Sequence, residues 1–248
     1  MLRLDLNLAT PAEQLAADEM LLDWCEADRS DETLVFWEPR ETFVVVGYAN
    51  KVATEVNLAA CEKSCVPIFR RCSGGGTVVQ MRGGLNYSLI LRIAENSPTR
   101  NISAANQFIM EKNRAAIELL SPNSQLPSAN SLISVRGHTD LCLGEKKFAG
   151  NSQRRRKNFL LFHGTLLLDC DLSLISELLL MPSLQPDYRA HRPHSDFVTN
   201  LNLPATAMKT ALAQEWNANE DSKNNPPLDE IKKLAQSKYS TREWNFKF

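Results

Sequence analysis

The stretch Arg70-Arg71-Cys72-Ser73-Gly74-Gly75-Gly76-Thr77-Val78-Val79 decides how this chain is read. Apolar Val66, Ile68 and Phe69 lead into it, and Val78 and Val79 lead out. Glycine loses more backbone freedom on folding than any other residue, so three in a row are costly. A plain turn does not need them. A backbone lying flat against a ligand does, because β-carbons would stand in the way. Arg71 and Ser73 then offer a charge and a hydroxyl beside that surface, as a carboxylate or phosphate site requires. The same residues also fit a glycine-rich β-hairpin or bulge. A P-loop is excluded, because no Lys-Ser/Thr pair follows the glycines at the spacing that a nucleoside-triphosphate cradle demands.

On the N-terminal side, Leu2, Leu4, Leu6 and Leu8 alternate with polar residues and predict a strand. Thr10 is the expected N-cap of the next helix, with Pro11 at its first position and Glu13 completing a capping box. Ala17, Leu21, Leu22, Trp24 and Cys25 mark that helix's buried face. Strands are expected over 34–37 and 42–46, split by a turn, and a loop with a short helix over 47–57. On the C-terminal side, Gly83-Gly84 turns into a strand over 86–91, and Ser103 caps a helix running to about Leu120. Ala105, Phe108, Ile109, Ala116, Leu119 and Leu120 form its buried face. Residues 122–130 read as a surface loop, 135–143, 147–150 and 163–168 as strands, and 171–180 as a helix. Helices over 205–216 and 228–238 flank a polar linker at 217–227. Strands pair with near neighbours and helices are scattered, which predicts an α+β fold with a mixed, largely antiparallel sheet flanked by helices. The length fits one large domain or two small ones, and a single domain spanning 1–248 is expected.

A net charge of -1 gives no electrostatic footprint for nucleic acid. The longest apolar runs, Leu166 to Leu168 and Leu178 to Met181, are too short to span a bilayer, so no membrane partner is expected. The first residues alternate and carry charge, unlike a signal peptide. Six cysteines without an export signal are expected to stay reduced, which points to the cytoplasm.

Two further segments carry chemistry. In Gly144-Glu145-Lys146-Lys147-Phe148-Ala149-Gly150 a turn delivers a lysine beside a strand of small residues. That lysine fits a cation for a carboxylate, phosphate or developing oxyanion, and equally a solvated hairpin charge. In Phe162-His163-Gly164-Thr165-Leu166 a histidine heads an apolar strand, as a pocket residue or as a hydrogen-bonded core residue. The run Arg154-Arg155-Arg156-Lys157 reads as a solvated loop or as a docking patch for an acidic partner. Cys61, Cys65 and Cys72 lack a fourth ligand at zinc spacing, and His191 and His194 lie in a polar loop.

Taken in register, these motifs resemble the biotin/lipoate protein ligase superfamily, and within it the lipoate-protein ligases of type A. The resemblance is carried by the Arg71-to-Val78 block, the Arg136-Gly-His-Thr-Asp140-Leu segment, Lys147-Phe-Ala-Gly150 and His163-Gly-Thr-Leu-Leu-Leu. Glu13-Gln-Leu-Ala-Ala-Asp-Glu-Met-Leu-Leu is similar to the family's first helix. The resemblance implies a catalytic fold like that of class II aminoacyl-tRNA synthetases and biotin ligases, here without a C-terminal accessory domain. It implies that lipoate and ATP give lipoyl-AMP, and that the lipoyl group passes to a lysine of an acceptor domain. Acceptors would be the lipoyl domains of 2-oxoacid dehydrogenase complexes or the glycine cleavage H protein, with an accessory subunit as a further possible partner. It implies Lys147 as the catalytic cation. Arg71, Ser73, Gly74, Gly75, Gly76, Thr77, Val78, Asp140, Ala149, His163, Gly164 and Thr165 would bind substrates, with Asp140 near a Mg2+ ion.

The sequence departs from the pattern at Gln80-Met81, where ligases commonly show His-Asp, at Gly83-Gly84-Leu85-Asn86, and at Thr139, where Asn is usual before the aspartate. The alternatives are an octanoyltransferase and a non-catalytic lipoate-binding relative. An octanoyltransferase uses a cysteine nucleophile on octanoyl carrier protein. The two family positions for that cysteine read Ser128-Ala-Asn-Ser-Leu-Ile-Ser134 and Leu178-Leu-Leu-Met-Pro182 here, with no cysteine in either. A biotin ligase fits less well, because its Gly-Arg-Gly-Arg signature is missing.

Overall fold

Leu34 and Phe36 of strand β2 (Thr33–Trp37) face one apolar core, Val35 and Trp37 face another, and all four are buried. Successive strand residues point to opposite faces, so a strand apolar at every position must be covered on both sides. The computed structural model, which describes residues 1–120, 133–218, 220–221 and 226–248, shows that arrangement. The loop expected at 122–130 lies outside these residues, as does part of the linker at 217–227.

Among the described residues the main sheet has eight strands. They are β1 (Leu2–Asp5), β2, β6 (Gly84–Arg92), β7 (Ile133–Arg136), β8 (Asp140–Leu143), β9 (Lys146–Arg155), β10 (Phe159–Leu167) and β11 (Glu220–Asp221). Their order is β11-β1-β2-β6-β10-β9-β8-β7. Only β1 runs parallel to its neighbours; the other pairs are antiparallel. The expected mixed, largely antiparallel α+β architecture is therefore the observed one. Helix α1 (Pro11–Glu26) covers one face, packing Leu15, Leu22 and Cys25 on Val35, Ile90 and Leu161. Helices α4 (Ile102–Glu118) and α7 (Ala205–Glu215) cover the other, packing Ile109, Met110 and Met208 on Leu34, Leu89 and Leu160. Among the described residues no helix is long and apolar enough to cross a membrane.

Local signals explain where the elements start. Thr10 Oγ1 accepts from Glu13 N at 3.2 Å, as expected of the N-cap. Glu13 reaches back one residue further than a capping box requires, accepting from Ala9 N at 3.1 Å. Helix α4 starts earlier than expected: Asn101, not Ser103, accepts from Ala104 N at 2.8 Å. Asn is at least as good a cap as Ser, and Ser103 then falls inside the first turn. Leu119, expected on the buried face, is 70% exposed, because the helix ends at Glu118. The strand expected over 135–143 is a hairpin of β7 and β8, turned at Gly137 with φ +57.

The glycine stretch is not a β-hairpin. Strands β4 (Ile68–Arg70) and β5 (Val78–Gln80) do not pair with each other; both flank β3 (Phe43–Val46) in a second sheet ordered β4-β3-β5. Residues 71–77 therefore cross over β3, pinned by Arg71 N to Val46 O at 3.1 Å and Tyr48 N to Ser73 O at 2.8 Å. The fully buried Arg70 anchors the base of this crossing. Its guanidinium donates to Gly47 O, Tyr48 O and Asn50 O, and to Trp244 O and Asn245 O of the C-terminal helix α9 (Arg242–Asn245).

The basic run after the lysine strand, expected as a solvated loop or a docking patch, makes contacts within the chain. Arg154 donates to Cys72 O at 2.8 Å and pairs with Glu19, Arg155 donates to Thr99 O at 2.6 Å, and Arg156 pairs with Asp23 at 2.6 Å. The end of β9 and the residue after it carry these side chains toward acceptors on other elements, a path that a charge run in sequence does not reveal.

Candidate active site

Strands β6, β10 and β9 lie side by side, and their register builds the floor of a cleft. His163 pairs with Ser88 on one side and Ser152 on the other, and Thr165 pairs with Asn86 and Gly150. Helix α1 adds Leu15 and Asp18, β2 adds Trp37, β3 adds Val45, and the crossing segment with β5 adds Arg71, Gly76, Thr77, Val78 and Gln80. Lys147, Gly150, Asn151, Ser152 and Gly164 complete the wall. The cleft encloses about 640 Å³ when the space at its open mouth is included.

The glycines of the ribbon differ in what the fold asks of them. Gly75 sits at φ +82, a conformation that favours glycine. Gly74 and Gly76 have no positive φ, and among the described residues no atom lies within 4 Å of where a β-carbon would be. No described residue forbids a side chain at those two positions. A β-carbon on Gly47 would collide with Gly75 O, so Gly47, which the sequence reading did not single out, seats the ribbon from below.

Arg71 shapes the ribbon. It donates through Nε to Ser73 Oγ and Gly74 O, both at 3.1 Å, and through Nη2 to Gly74 O at 2.5 Å and Gly76 O at 2.7 Å. Burial pulls this guanidinium down to about 10. Ser152 Oγ adds a bond to Gly74 O at 2.8 Å, tying the ribbon to β9.

Beneath the ribbon runs a chain of short hydrogen bonds. Ser73 Oγ is 2.5 Å from His163 Nε2, His163 Nδ1 is 2.6 Å from Asp18 Oδ2, and Ser88 Oγ donates to Asp18 Oδ1 at 2.6 Å. Asp18 is the partner that the sequence reading missed. Its signal was an acidic residue one helical turn from Leu15 and Leu22, on a face otherwise apolar. Gln80, one of the departures from the family pattern, lies in a closed network: its amide donates to Asn86 Oδ1 and Thr165 Oγ1, both at 2.9 Å, and Asn86 returns a bond at 2.8 Å. Gly164 is required by Asn151, whose side-chain amide occupies the place of a β-carbon there. That amide accepts from Tyr87 OH at 2.6 Å and donates to Thr139 O at 2.6 Å.

At the other wall, Lys147 Nζ lies 2.8 Å from Asp140 Oδ1, over Gly150. Asp140 Oδ2 accepts from Tyr188 OH at 2.6 Å. Burial, then the adjacent carboxylate, push the Tyr188 phenol up, so it remains a donor. Of the expected site residues, Arg71, Gly76, Thr77, Val78, Lys147, His163, Gly164 and Thr165 border the cleft. Ser73, Gly74 and Gly75 stand behind it, bonded to or continuous with those that do. Ala149 turns into the opposite core beside Leu141 and Phe148, and Gly150 borders the cleft instead. Both Asp140 oxygens are engaged, and among the described residues no three His, Cys, Asp or Glu side chains converge. That donor set does not close a metal site with protein ligands alone.

The lipoyl protein ligase A/B catalytic domain matches residues 10–216, and the chain belongs to that family. It is 26% identical to octanoyltransferase LipM of Geobacillus kaustophilus over 98% of this chain and 97% of that one. It is 25% identical to lipoate-protein ligase A subunit 1 of Thermoplasma acidophilum, over 97% and 95%. Its fold matches a T. acidophilum lipoate protein ligase structure with bound lipoic acid at a TM-score of 0.77 and 23% identity, covering 99% of both chains.

Proposed function

We propose that this chain is a lipoate-protein ligase: it joins lipoate to ATP, releases pyrophosphate, and passes the lipoyl group to a lysine of an acceptor lipoyl domain. The observation that carries this reading is that Lys147 and the bare Gly76 border one cleft, which among the described residues contains no cysteine. A carboxylate is a poor acyl donor and a mixed anhydride with AMP a good one. Attack by the acceptor amine on that anhydride builds negative charge on the carbonyl oxygen and the leaving phosphate. The Lys147 ammonium, fixed in the wall, stabilises that charge more than the ground state, by about 3 kcal/mol if it acts like one oxyanion-hole donor. Leu15, Trp37, Val45 and Val78 offer the apolar surface for the acyl chain. The Arg71-braced ribbon lets the reacting end pass close to the backbone at Gly76. The chain acts as one catalytic domain. Its similarity to a relative named subunit 1 supports a second polypeptide as partner.

Octanoyl transfer from carrier protein is the second reading, favoured by the near full-length similarity to LipM. It needs a thiolate. Burial pushes Cys170 and Cys25 up to about 11 and Cys72 to about 12, and raises Cys61 and Cys142 as well. The test is to incubate the chain with an apo acceptor domain and either lipoate with ATP, lipoate alone, or octanoyl carrier protein. Modification only in the first mixture is the expected result. Modification from octanoyl carrier protein without ATP overturns the ligase reading, and lipoate binding without any turnover establishes a binding protein.

A further inference from the structure

The segment 185–199 grips Lys147 at two points. Thr199 N donates to Lys147 O at 2.9 Å, and Val198 forms a parallel bridge with the same residue. The second grip is indirect, from Tyr188 OH to Asp140 Oδ2 at 2.6 Å and from Asp140 Oδ1 to the Lys147 amine at 2.8 Å. Tyr188 is itself held in place. Its ring lies 5.4 Å from that of Phe197 and against Gly137, where a β-carbon would already be 3.5 Å from the ring. Cys142 Sγ donates weakly to the phenol at 3.6 Å, and the Arg136 guanidinium stands 5.8 Å from the ring centroid.

We propose that Tyr188 is a positioning residue for Lys147, acting through Asp140. With no substrate present, Lys147 is neutralised by Asp140. To serve an acyl or phosphoryl oxygen, that ammonium must exchange one oxygen partner for another. The exchange leaves a carboxylate whose side chain is only 13% exposed, and an unpaired charge in such a place is costly. The phenol keeps one hydrogen bond on Asp140 throughout, and it reserves Oδ2 so that the carboxylate presents a single oxygen to the lysine. Without the phenol, both oxygens are free to close on the ammonium and hold it back from substrate.

The proposal rests on the ligase reading for its kinetic arm only. Tyr188→Phe keeps the ring and removes the hydroxyl. In that variant kcat is expected to fall about tenfold or more, with KM for the acyl acid within about twofold of wild type and the melting temperature little changed. Competitive labelling of Lys147 with acetic anhydride reads the amine directly, whatever the activity. Labelling should be slower in Tyr188→Phe and faster in Asp140→Asn, and adding Tyr188→Phe to Asp140→Asn should change it no further. Wild-type kinetics and labelling in Tyr188→Phe overturn the proposal, as does an effect that persists in the Asp140→Asn background. If the wild-type chain turns over no donor, the ligase reading fails, and the labelling series still decides the role of Tyr188.

Discussion

Gly76→Ala separates what the fold requires from what a ligand requires. The backbone at Gly76 is not in the left-handed region, and among the described residues a β-carbon there meets no atom within 4 Å. Replacing glycine by alanine at such a site stabilises a protein by about 0.4–1 kcal/mol, through the unfolded chain. For a domain of this size that amounts to a rise of roughly 1–4 °C in melting temperature. Gly76 borders the cleft, so the added methyl occupies space that substrate would use. Overpacking of this kind costs about 1–3 kcal/mol, or a loss of roughly 5- to 150-fold in apparent affinity. Gly74→Ala is the matched control: it is equally open but does not border the cleft, so it should stabilise without changing KM. Gly75→Ala should do the reverse, losing about 1–2 kcal/mol of stability because of its φ of +82. The assay is thermal unfolding of the three variants beside KM for the acyl acid. A stabilised Gly76→Ala with unchanged KM would refute the reasoning, because the open space beside that residue would then hold no substrate.

Asp18→Asn removes the charge that accepts from His163 and Ser88, and is expected to cost about 1.5–3 kcal/mol in the denaturant midpoint while loosening His163. Burial works against the Glu19 carboxylate, but the hydrogen bonds from Lys238 and Tyr239 and the nearby cations outweigh it and hold its pKa below the ordinary 4.5. Its contribution is therefore complete above about pH 4.5 and is lost as pH falls through the lowered value, so Glu19→Gln should flatten the acid limb of a stability profile and lower its neutral plateau. The Trp37 indole borders both the main cleft and a smaller one lined by Leu8, Pro11 and Phe43. Trp37→Leu should join the two, shifting kcat/KM toward acyl acids longer than eight carbons; an unchanged chain-length profile would show that the wall lies elsewhere.

Along the chain, periodicity and punctuation were sufficient for most elements. The cap at Thr10, the double-faced apolarity of 34–37 and the turn at Gly83 are local facts, and local physics settles them; Gly84, expected in the turn, already opens β6. The helix start at Asn101 was misplaced by two residues because two good capping residues compete there. The hairpin alternative for the glycine stretch could not be decided locally, because β4 and β5 look the same whether they pair with each other or across β3.

By itself the sequence determined the residue types that the chemistry uses: a glycine ribbon with an arginine beside it, a lysine on a strand of small residues, and a histidine at the head of another. Tertiary structure decided their partners. Asp18 reaches His163 from 145 residues away in the chain, Tyr188 reaches Asp140 from 48, and Arg154 reaches Cys72 from 82. Periodicity is a property of neighbours in sequence. A hydrogen bond between a helix and the third strand from it depends on sheet order and register, which no window of sequence contains.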